Sequence, residues 1–543
     1  TTASVVVSVV FVTLFWLGVF GPGFSRSVLA IDWLFSLILI GGMRFALRII
    51  AESTSPRSSG KIRKIIVIGA GDAGALVVKE MQKNRQINLE PVGFLDDDPA
   101  KQNHSLLGVP VIGLLTDLAR VLDERQVDEV IIAIPSAPGR IVRLVADICR
   151  QKSVPFRTMP GIYELLGGKV SVSRLREVEI TDLLRREPVR IHEELIGQVL
   201  EGKRVLVTGA GGSIGRELCR QIARWNAASL IMLGHGENSI FEALLELKQD
   251  YRSIELIPVI ADVRDSVRLQ AVFEQYRPEV VFHAAAHKHV PLMQINVEEA
   301  VANNVLGTRN VGETADRCGV ERLVLISTDK AVHPANVYGA TKRMAEMIVL
   351  DAALRTGKAF SVVRFGNVLD SRGSVVPLFK RMIASGGPLQ ITHPDMFRFF
   401  MTIPEAVHLV LQAAAMGKGG EAFLLNMGEQ IRILDLAEDL IRLSGLEPGR
   451  DIEIVFTGVR PGEKLREELW ESDKTYDRTA HPDIYRSTAE NMIESSALQE
   501  DIGHLAELVT ASQPDEIISL LDEIVPGSAI RTTPPPTDVT DVV

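Results

Sequence analysis

Twice in this chain an apolar run breaks into a glycine-rich turn and resumes as a helical pattern. Lys64-Ile65-Ile66-Val67-Ile68 reads as a buried strand and runs into Gly69-Ala70-Gly71-Asp72-Ala73-Gly74. Arg204-Val205-Leu206-Val207 runs into Thr208-Gly209-Ala210-Gly211-Gly212-Ser213-Ile214-Gly215. Such a turn opens a helix whose N-terminal amides can meet a phosphate. The expected fold is α/β, with two Rossmann-like doubly wound parallel-sheet domains in series. At 543 residues the chain is too long for one core. Its 43 glycines and 5% aromatic content suit many tight strand-to-helix turns.

Charge and cysteine usage narrow the classes. A net charge of −10 argues against nucleic acid as a partner, since phosphate binding needs a basic face. Cys149, Cys219 and Cys318 are widely spaced and odd in number, so they form neither a disulfide framework nor a metal-ligand pattern. They read as packing groups in a reducing cytosol, and no metal is expected. The front of the chain differs. Residues 1–24 carry no charge, and a second apolar run spans 27–43 with Asp32 near its start. Each approaches the roughly 20 apolar residues that cross a bilayer. Arg44, Arg48, Arg57, Lys61, Arg63 and Lys64 follow, so positive-inside logic puts the remainder in the cytoplasm. An N-terminal transmembrane helical hairpin is expected over 1–50, turning at Gly21-Pro22-Gly23. A signal peptide would need a basic n-region and a shorter apolar core, and helices on a soluble core would keep a polar face. Because the chain opens on Thr1 inside apolar sequence, earlier spans are expected to be missing.

A Ser-rich linker, 51–62, precedes the first Rossmann-like domain, expected over 63–160. Asp96-Asp97-Asp98 follows its second strand, where a ribose-binding carboxylate would sit. Two readings stay open here: a nucleotide site, or glycines that only permit close helix packing. Residues 161–195 read as a charge-rich connector, and the second domain is expected over 196–526. Gly209 allows its turn, Gly212 lets a pyrophosphate approach, and Gly215 lets the helix pack, with Ser213 and Ile214 in the same cradle. The ribose-reading acid is expected after strand 229–233, but Glu237 comes late. NAD is therefore expected with NADP left open. Asp262 is placed to accept from an adenine amino group with Val263 on the ring, or else is a turn acid facing solvent. Ala284, Ala285 and Ala286 are small enough for backbone to lie against a dinucleotide, and Asn304 reads as a cap for a neighbouring element.

Strand 322–326 leads into Ser327-Thr328-Asp329-Lys330, and open α/β sheets put ligands at strand C-terminal ends. Tyr338 and Lys342, four residues apart, share one helix face. Lys342 is expected to bond a nicotinamide ribose and to lower the phenol's pKa from its usual value near 10. Tyr338 would then take a hydroxyl proton as hydride leaves the same carbon. Lys330, its pKa lowered by burial or by Lys342, is placed to deprotonate the next carbon. Asp329, kept protonated, would hand a proton to a departing hydroxyl. The competing readings are a surface ion pair for Asp329 and Lys330 and a plain turn at His333-Pro334.

These motifs resemble the extended short-chain dehydrogenase/reductase family, and within it the membrane-bound UDP-N-acetylglucosamine 4,6-dehydratase branch of capsular-polysaccharide and protein-glycosylation proteins. The resemblance is carried by 208–215, 284–291, 327–342, 364–368, 373–379, 399–406 and 458–464, and runs from the first hairpin to about residue 525. It implies oxidation at C4, loss of water across C5 and C6, and hydride return to C6. The implied product is a UDP-4-keto-6-deoxy-N-acetylhexosamine for capsular, exopolysaccharide or glycoprotein glycans. It implies elimination roles for Thr328, Asp329 and Lys330, work at C4 for Tyr338 and Lys342, and substrate binding by Lys288, Asn367, Arg460 and Glu463. Arg460 suits a diphosphate because guanidinium binds two oxygens at once. A homo-oligomer and a multi-pass location in a bacterial inner membrane, catalytic domains cytoplasmic, are implied as well. Two departures stand out. This chain keeps Tyr338 where some large membrane members carry Met, and two spans are visible where four are common.

Two rivals stay open. A UDP-sugar 4-epimerase needs Tyr338 and Lys342 but no acid–lysine pair. A catalytically silent membrane scaffold sensing nucleotide sugars predicts binding without turnover. Residues 527–543, with Pro534-Pro535-Pro536, read as a disordered tail.

Overall fold

The computed structural model describes residues 62–84, 87–160, 175–184, 193–251, 254–471, 475–488 and 494–532, with Ile31, Phe35, Gly42 and Met43. They fall into two compact units, Thr1–Arg63 with Met81–Glu90, and Lys64–Glu80 with Pro91–Val543. Of the first, the described parts include a helix end at 81–83 and a strand start at 89–90. The second holds the two large sheets, apart from the strand starts at Arg63 and Leu89–Glu90.

Its N-terminal sheet has seven strands: β1 (Arg63–Ile68), β2 (Leu89–Leu95), β3 (Ser105–Leu106), β4 (Val109–Gly113), β5 (Glu129–Ile132), β6 (Phe156–Thr158) and β7 (Arg176–Glu177), in the order β3-β4-β2-β1-β5-β6-β7. Ile65 to Ile68 are fully buried, as a parallel strand covered on both faces must be. β7 pairs antiparallel to β6, and the helix Ile180–Leu183 after it buries Ile180 and Leu183. Residues 176–177 of the expected connector are thus an edge of this sheet, while 193–195 open a helix, Glu193–Leu200. An apolar cluster continues from Ile66, Val130 and Val142 to Val376, Phe379, Leu436 and Leu440 of the later lobe. Arg143 donates to Asp439 across the same contact at 2.8 Å. Burial raises the Asp439 carboxyl's pKa against the pull of Arg143.

The second sheet contains β8 (Arg204–Thr208), β9 (Ser229–Gly234), β10 (Glu255–Ile260), β11 (Val280–His283), β12 (Arg322–Thr328), β13 (Ala359–Phe365), β14 (Glu421–Leu425), β15 (Asp477–Arg478) and β16 (Ile484–Thr488), in the order β10-β9-β8-β11-β12-β13-β14-β16-β15. From β10 through β14 all pairs are parallel; β16 pairs antiparallel to β14, and β15 closes the edge antiparallel to β16. Chain order reverses between β8 and β11, the switch point where such sheets bind ligands beyond their carboxyl ends. β12 runs on to Thr328 because Ser327 and Thr328 pair with Arg364 and Phe365. Helices α1 (Ser213–Ile222), α2 (Glu237–Asp250), α3 (Gly307–Arg317) and α4 (Val337–Thr356) flank this sheet or its C-terminal edge.

Helices α5 (Ser495–Thr510) and α6 (Pro514–Ile524) pack Leu498, Ile502, Leu505, Ile517 and Leu521 against Val337, Tyr338, Met344 and Met347 of α4. Beyond them, residues 527–532 are packed rather than disordered. The Asp522 carboxylate accepts from the Ile530 and Arg531 amides at 2.8 Å each, Ala529 N–H donates to the Pro334 carbonyl at 2.9 Å, and Ile530 is buried. Residues 533–543 lie outside the described residues.

The multi-pass membrane placement needs correction. Among the described residues no helix is long and apolar enough to cross a membrane. α4 has the required 20 residues but carries Lys342, Arg343, Glu346, Asp351 and Arg355, charges that a bilayer core excludes. The expected hairpin and linker, 1–62, lie outside the described residues apart from Ile31, Phe35, Gly42, Met43 and Ile62.

Leu505→Ala should leave a cavity in the cover of α4 and lower unfolding stability by about 2–5 kcal/mol. A urea titration checks this, with the midpoint falling at an unchanged slope.

Candidate active site

The turn after β8 is built for close approach. Gly209 has φ +66°, and a Cβ there would lie 2.8 Å from the Ala285 nitrogen and 2.9 Å from the Ala284 carbonyl. A Cβ on Gly215 would fall 2.1 Å from the Gly209 oxygen, so only glycine lets α1 seat against the turn. Gly212 precedes α1 with no side-chain cap, so no side chain of the cap competes for the first-turn amides at Ser213 and Ile214. This cradle, with its helix N-terminus, fits a dinucleotide diphosphate. Ala284, Ala285 and Ala286 lie across from it at the end of β11.

Buried hydrogen bonds carry the geometry from this cradle to α4. Thr308 donates to the Asn304 carbonyl at 2.7 Å, so His283 Nε2 must donate to Thr308 at 3.0 Å. His283 Nδ1 then accepts from Thr208 at 2.7 Å, and Thr208 accepts from Ala285 N–H at 3.3 Å. Burial pushes the His283 imidazole down to about 3 with Lys342 adding to it, so the ring is neutral. Asn304 sits on a π-helical turn, Ala302–Leu306, a distortion that often marks a functional site. It accepts from His287 N–H at 2.9 Å and donates to Thr341 at 3.1 Å, and Thr341 donates to the Tyr338 carbonyl at 2.9 Å. Asn304 is thus a tie between loop and helix.

The candidate cluster gathers at the end of β12 and the start of α4. Asn336 caps α4, accepting from Gly339 N–H at 2.8 Å and donating to the Gly462 carbonyl at 2.9 Å. Gly339 packs so closely that a Cβ would sit 2.2 Å from the Lys330 carbonyl. Asp329 is fully buried. Its Oδ1 accepts from Thr328 at 2.9 Å and Lys330 Nζ at 3.0 Å, while Oδ2 has no hydrogen-bond partner among the described residues. Lys330 Nζ also reaches Asn367 Oδ1 at 3.2 Å and Glu467 at 3.6 Å. The surface ion-pair reading therefore fails on burial.

Three expected electrostatic relations turn out otherwise. Burial pulls the Lys330 ammonium down, but Asp329 and Glu467 outweigh it and hold its pKa above the usual lysine range. The expected lowering of Lys330 is absent because two carboxylates face it. The Tyr338 phenol is raised by burial, and the groups that favour its phenolate are Lys330 and a Thr328 hydrogen bond. Lys342 instead donates to the Ile326 carbonyl at 2.8 Å, and burial lowers it to about 8 against the pull of Glu346. Asp262 forms a two-oxygen pair with Arg264, at 3.0 and 2.7 Å, and Arg264 continues to Glu299 at 2.9 Å. Val263 is buried in the core against Gly307, so its side chain belongs to the α3 packing and not to an open ring site. Glu237 is exposed at the first turn of α2.

Of the expected substrate residues, Lys288 is lowered by burial and reaches Ser371 at 3.5 Å. Asn367 joins the Lys330 cluster. Arg460 and Glu463 share a turn, with Glu463 N–H donating to the Arg460 carbonyl at 3.1 Å, and Glu463 Oε2 is buried with no hydrogen-bond partner among the described residues. Lys464 Nζ donates to the Val332 carbonyl at 3.1 Å, pinning that turn beside the cluster.

Sequence spacing missed a second layer. Glu346, one turn beyond Lys342, accepts from Ser327 at 2.6 Å, Arg364 at 2.7 and 2.5 Å, and Arg343 at 2.9 Å. Arg364 also donates to Glu471 at 2.9 Å. All four charged residues are buried, and burial pushes the Glu346 carboxyl up to about 7. The available signal was charge at 342, 343 and 346, which puts Lys342 and Arg343 four and three residues before Glu346, on a helix otherwise rich in Ala, Met and Val. The partners Arg364, Glu467 and Glu471 left no spacing signal.

In the first sheet's glycine turn, Asp96 accepts from Ala70 N–H at 2.7 Å and Lys101 at 3.0 Å, so its carboxylate is engaged within the fold.

Comparison with known proteins adds context to this geometry. Residues 205–489 match the family described as polysaccharide biosynthesis protein, and residues 1–160 match one described as CoA-binding domain. The chain is 44% identical over 497 residues, 91% of its length and 82% of the other, to the capsular polysaccharide biosynthesis protein CapD of Staphylococcus aureus. It is 35% identical over 283 residues, 51% of this chain and 80% of the other, to a UDP-N-acetylglucosamine 4,6-dehydratase (inverting) of Campylobacter jejuni. It is 34% identical over 291 residues, 52% of this chain and 82% of the other, to a UDP-glucose 4-epimerase of Rickettsia canadensis.

Neutral His283 sets a pH dependence. Its folded pKa of about 3 lies below the unfolded value of 6.5. Its contribution is therefore complete above pH 6.5 and is lost as pH falls toward 3, by up to about 1.4 kcal/mol per pH unit. Urea midpoints at pH 7.0 and 5.0 should diverge less in His283→Gln than in the unsubstituted chain.

Proposed function

The chain belongs to the polysaccharide biosynthesis protein family, and on that premise we propose that it is an NAD-dependent UDP-N-acetylglucosamine 4,6-dehydratase. The observation that carries this reading is the buried Thr328–Asp329–Lys330 cluster beside Tyr338, which an epimerase does not require. The Campylobacter relative's printed activity supports it. NAD, when bound, supplies the acceptor for hydride from C4 and the hydride returned at C6.

The rest is work for this chain's own groups. Tyr338 takes the C4 hydroxyl proton, with its phenolate favoured by Lys330 and Thr328. Lys342, held at the Ile326 carbonyl and near pKa 8, keeps donors for a ribose hydroxyl. In the resting state Lys330 is an ammonium paired with Asp329. Once a sugar covers the pair and excludes water, the neutral form gains ground, because separated charge is costly in a low-dielectric site. A proton then passes along the 3.0 Å contact from Nζ to the carboxylate. Neutral Lys330 takes the C5 proton as protonated Asp329 gives its own to the departing C6 hydroxyl. Water leaves, C5 and C6 become doubly bonded, and the ion pair is restored; as C6 receives hydride, the Lys330 ammonium, exchanged with solvent, gives a proton to C5, and the proton that Tyr338 took resets the site. Asp329 Oδ1, the oxygen that Thr328 and Lys330 reach, carries this proton, while Oδ2 is buried without a hydrogen-bond partner among the described residues. Asn367, Lys288, Arg460 and Glu463 hold the sugar nucleotide around this pair.

The epimerase reading keeps one supporting observation, the Rickettsia relative of nearly equal identity. Incubating the full chain with UDP-N-acetylglucosamine and NAD in deuterated water separates the two. A UDP-4-keto-6-deoxy sugar bearing deuterium at C5 is expected by mass spectrometry and NMR, and an unlabelled UDP-N-acetylgalactosamine would overturn the dehydratase reading. Tyr338→Phe should lower kcat by about 10²–10⁴-fold, the usual share of a general base. Lys330→Met should stop deuterium incorporation while leaving the fold, read by circular dichroism, intact.

A further inference from the structure

We propose that Arg372, with Arg216 beside it, clamps the dinucleotide's diphosphate against the turn at Gly211–Ser213; the inference rests on the dinucleotide-dependent reading above. A cleft of ≈ 470 Å³ is lined by Gly211, Gly212, Ser213, Arg216, Asp370 and Arg372. One wall is the glycine turn and the start of α1. The opposite wall is the loop 369–374, which leads into the later lobe at Val376 and Phe379.

That loop holds its arginine firmly. Asp370 and Gly373 both have positive φ, 59° and 70°, a conformation that costs energy for a non-glycine residue. Ser371 is buried, donating to the Val368 carbonyl at 3.2 Å. Gly373 lies so near His289 that a Cβ would meet the ring at 2.5 Å. Between these pins, Arg372 N–H donates to Ser213 Oγ at 3.1 Å, and its guanidinium reaches the Gly211 carbonyl at 3.4 Å. The side chain is thus delivered to the turn by a preorganised backbone.

Its charge partner is poorly matched. Arg372 donates to Glu242 Oε2 at 2.9 Å, and Arg216 donates to the same oxygen at 3.1 Å. Arg216 Nε is buried with no hydrogen-bond partner among the described residues. Arg216 also lies 3.7 Å from Glu246, but Arg220 holds that carboxylate closely, so two forked cations with one close carboxylate oxygen leave donors to spare. A diphosphate offers several oxygens and more charge, and guanidinium takes two of them at once. Glu242 therefore parks both arginines until the diphosphate displaces it. The other acids on the cleft are engaged elsewhere: Glu217 with Arg220 and Gln221, Glu179 with Arg176, and Asp370 with Lys380. For a reaction that must return the hydride it removed, a clamp from this loop also ties cofactor retention to the closed site.

Calorimetric titration of NAD and, separately, of UDP into the full chain tests the clamp. Arg372→Ala should raise the NAD Kd by about tenfold or more, the scale of a lost charged hydrogen bond, and leave the UDP Kd within about twofold. Glu242→Gln should tighten NAD binding, because the competing carboxylate is gone. Unchanged NAD binding in Arg372→Ala overturns the proposal, as does a loss confined to UDP, which would assign the arginine to the substrate's diphosphate. If the unsubstituted chain binds no NAD, the dinucleotide reading itself fails and the clamp with it.

Discussion

The candidate site depends on one run of buried hydrogen bonds through a neutral histidine. Ala285, Thr208, His283, Thr308, Asn304, Thr341 and Tyr338 form a sequence of donors and acceptors in which each hydroxyl proton has a single destination. A protonated imidazole would donate at both nitrogens and meet the Thr208 hydroxyl proton. Burial prevents this by holding the ring neutral. The glycine cradle at β8 and the start of α4, which carries the candidate residues Tyr338 and Lys342, are thereby set in one register, although they come from different parts of the chain.

Around that axis the protein uses buried charge in two ways. Glu346, Arg343, Arg364 and Glu471 pair completely, so they serve as a rigid backing that fixes Ser327 and the end of β12. Leaving any one of them alone would strand a buried charge. Asp329 and Lys330 are paired incompletely, with one carboxylate oxygen unfilled among the described residues and the lysine shared between Asp329 and Glu467. Complete pairing makes a scaffold, and incomplete pairing is what the proposed proton transfer between Asp329 and Lys330 draws on.

Much of the fold was legible because its signals are local. Apolar runs ending in glycine marked β1 and β8, and the structure places those strands within a residue of expectation. Tyr338, Lys342, Asp329 and Lys330 were legible because helix and strand-end geometry brings close neighbours in sequence together. The electrostatics were less so. Lys342 was expected to act on the phenol, yet the Ile326 carbonyl takes its ammonium, and Glu467 raises Lys330 from far along the chain. The same limit explains the tail, where Asp522 captures amides at 530 and 531 that composition alone marked as disordered.

By itself the sequence determined the repeated strand–turn–helix order, the glycines that only a close backbone approach explains, and the residue types of the reacting cluster. Each rests on spacing of a few residues, where covalent geometry dictates what can meet. Tertiary structure alone decided protonation and support: which carboxylates face Lys330, which carbonyl holds Lys342, which loop carries Arg372 to the glycine turn. Those depend on burial and on partners from distant segments, and folding brings them together through contacts that no local pattern encodes.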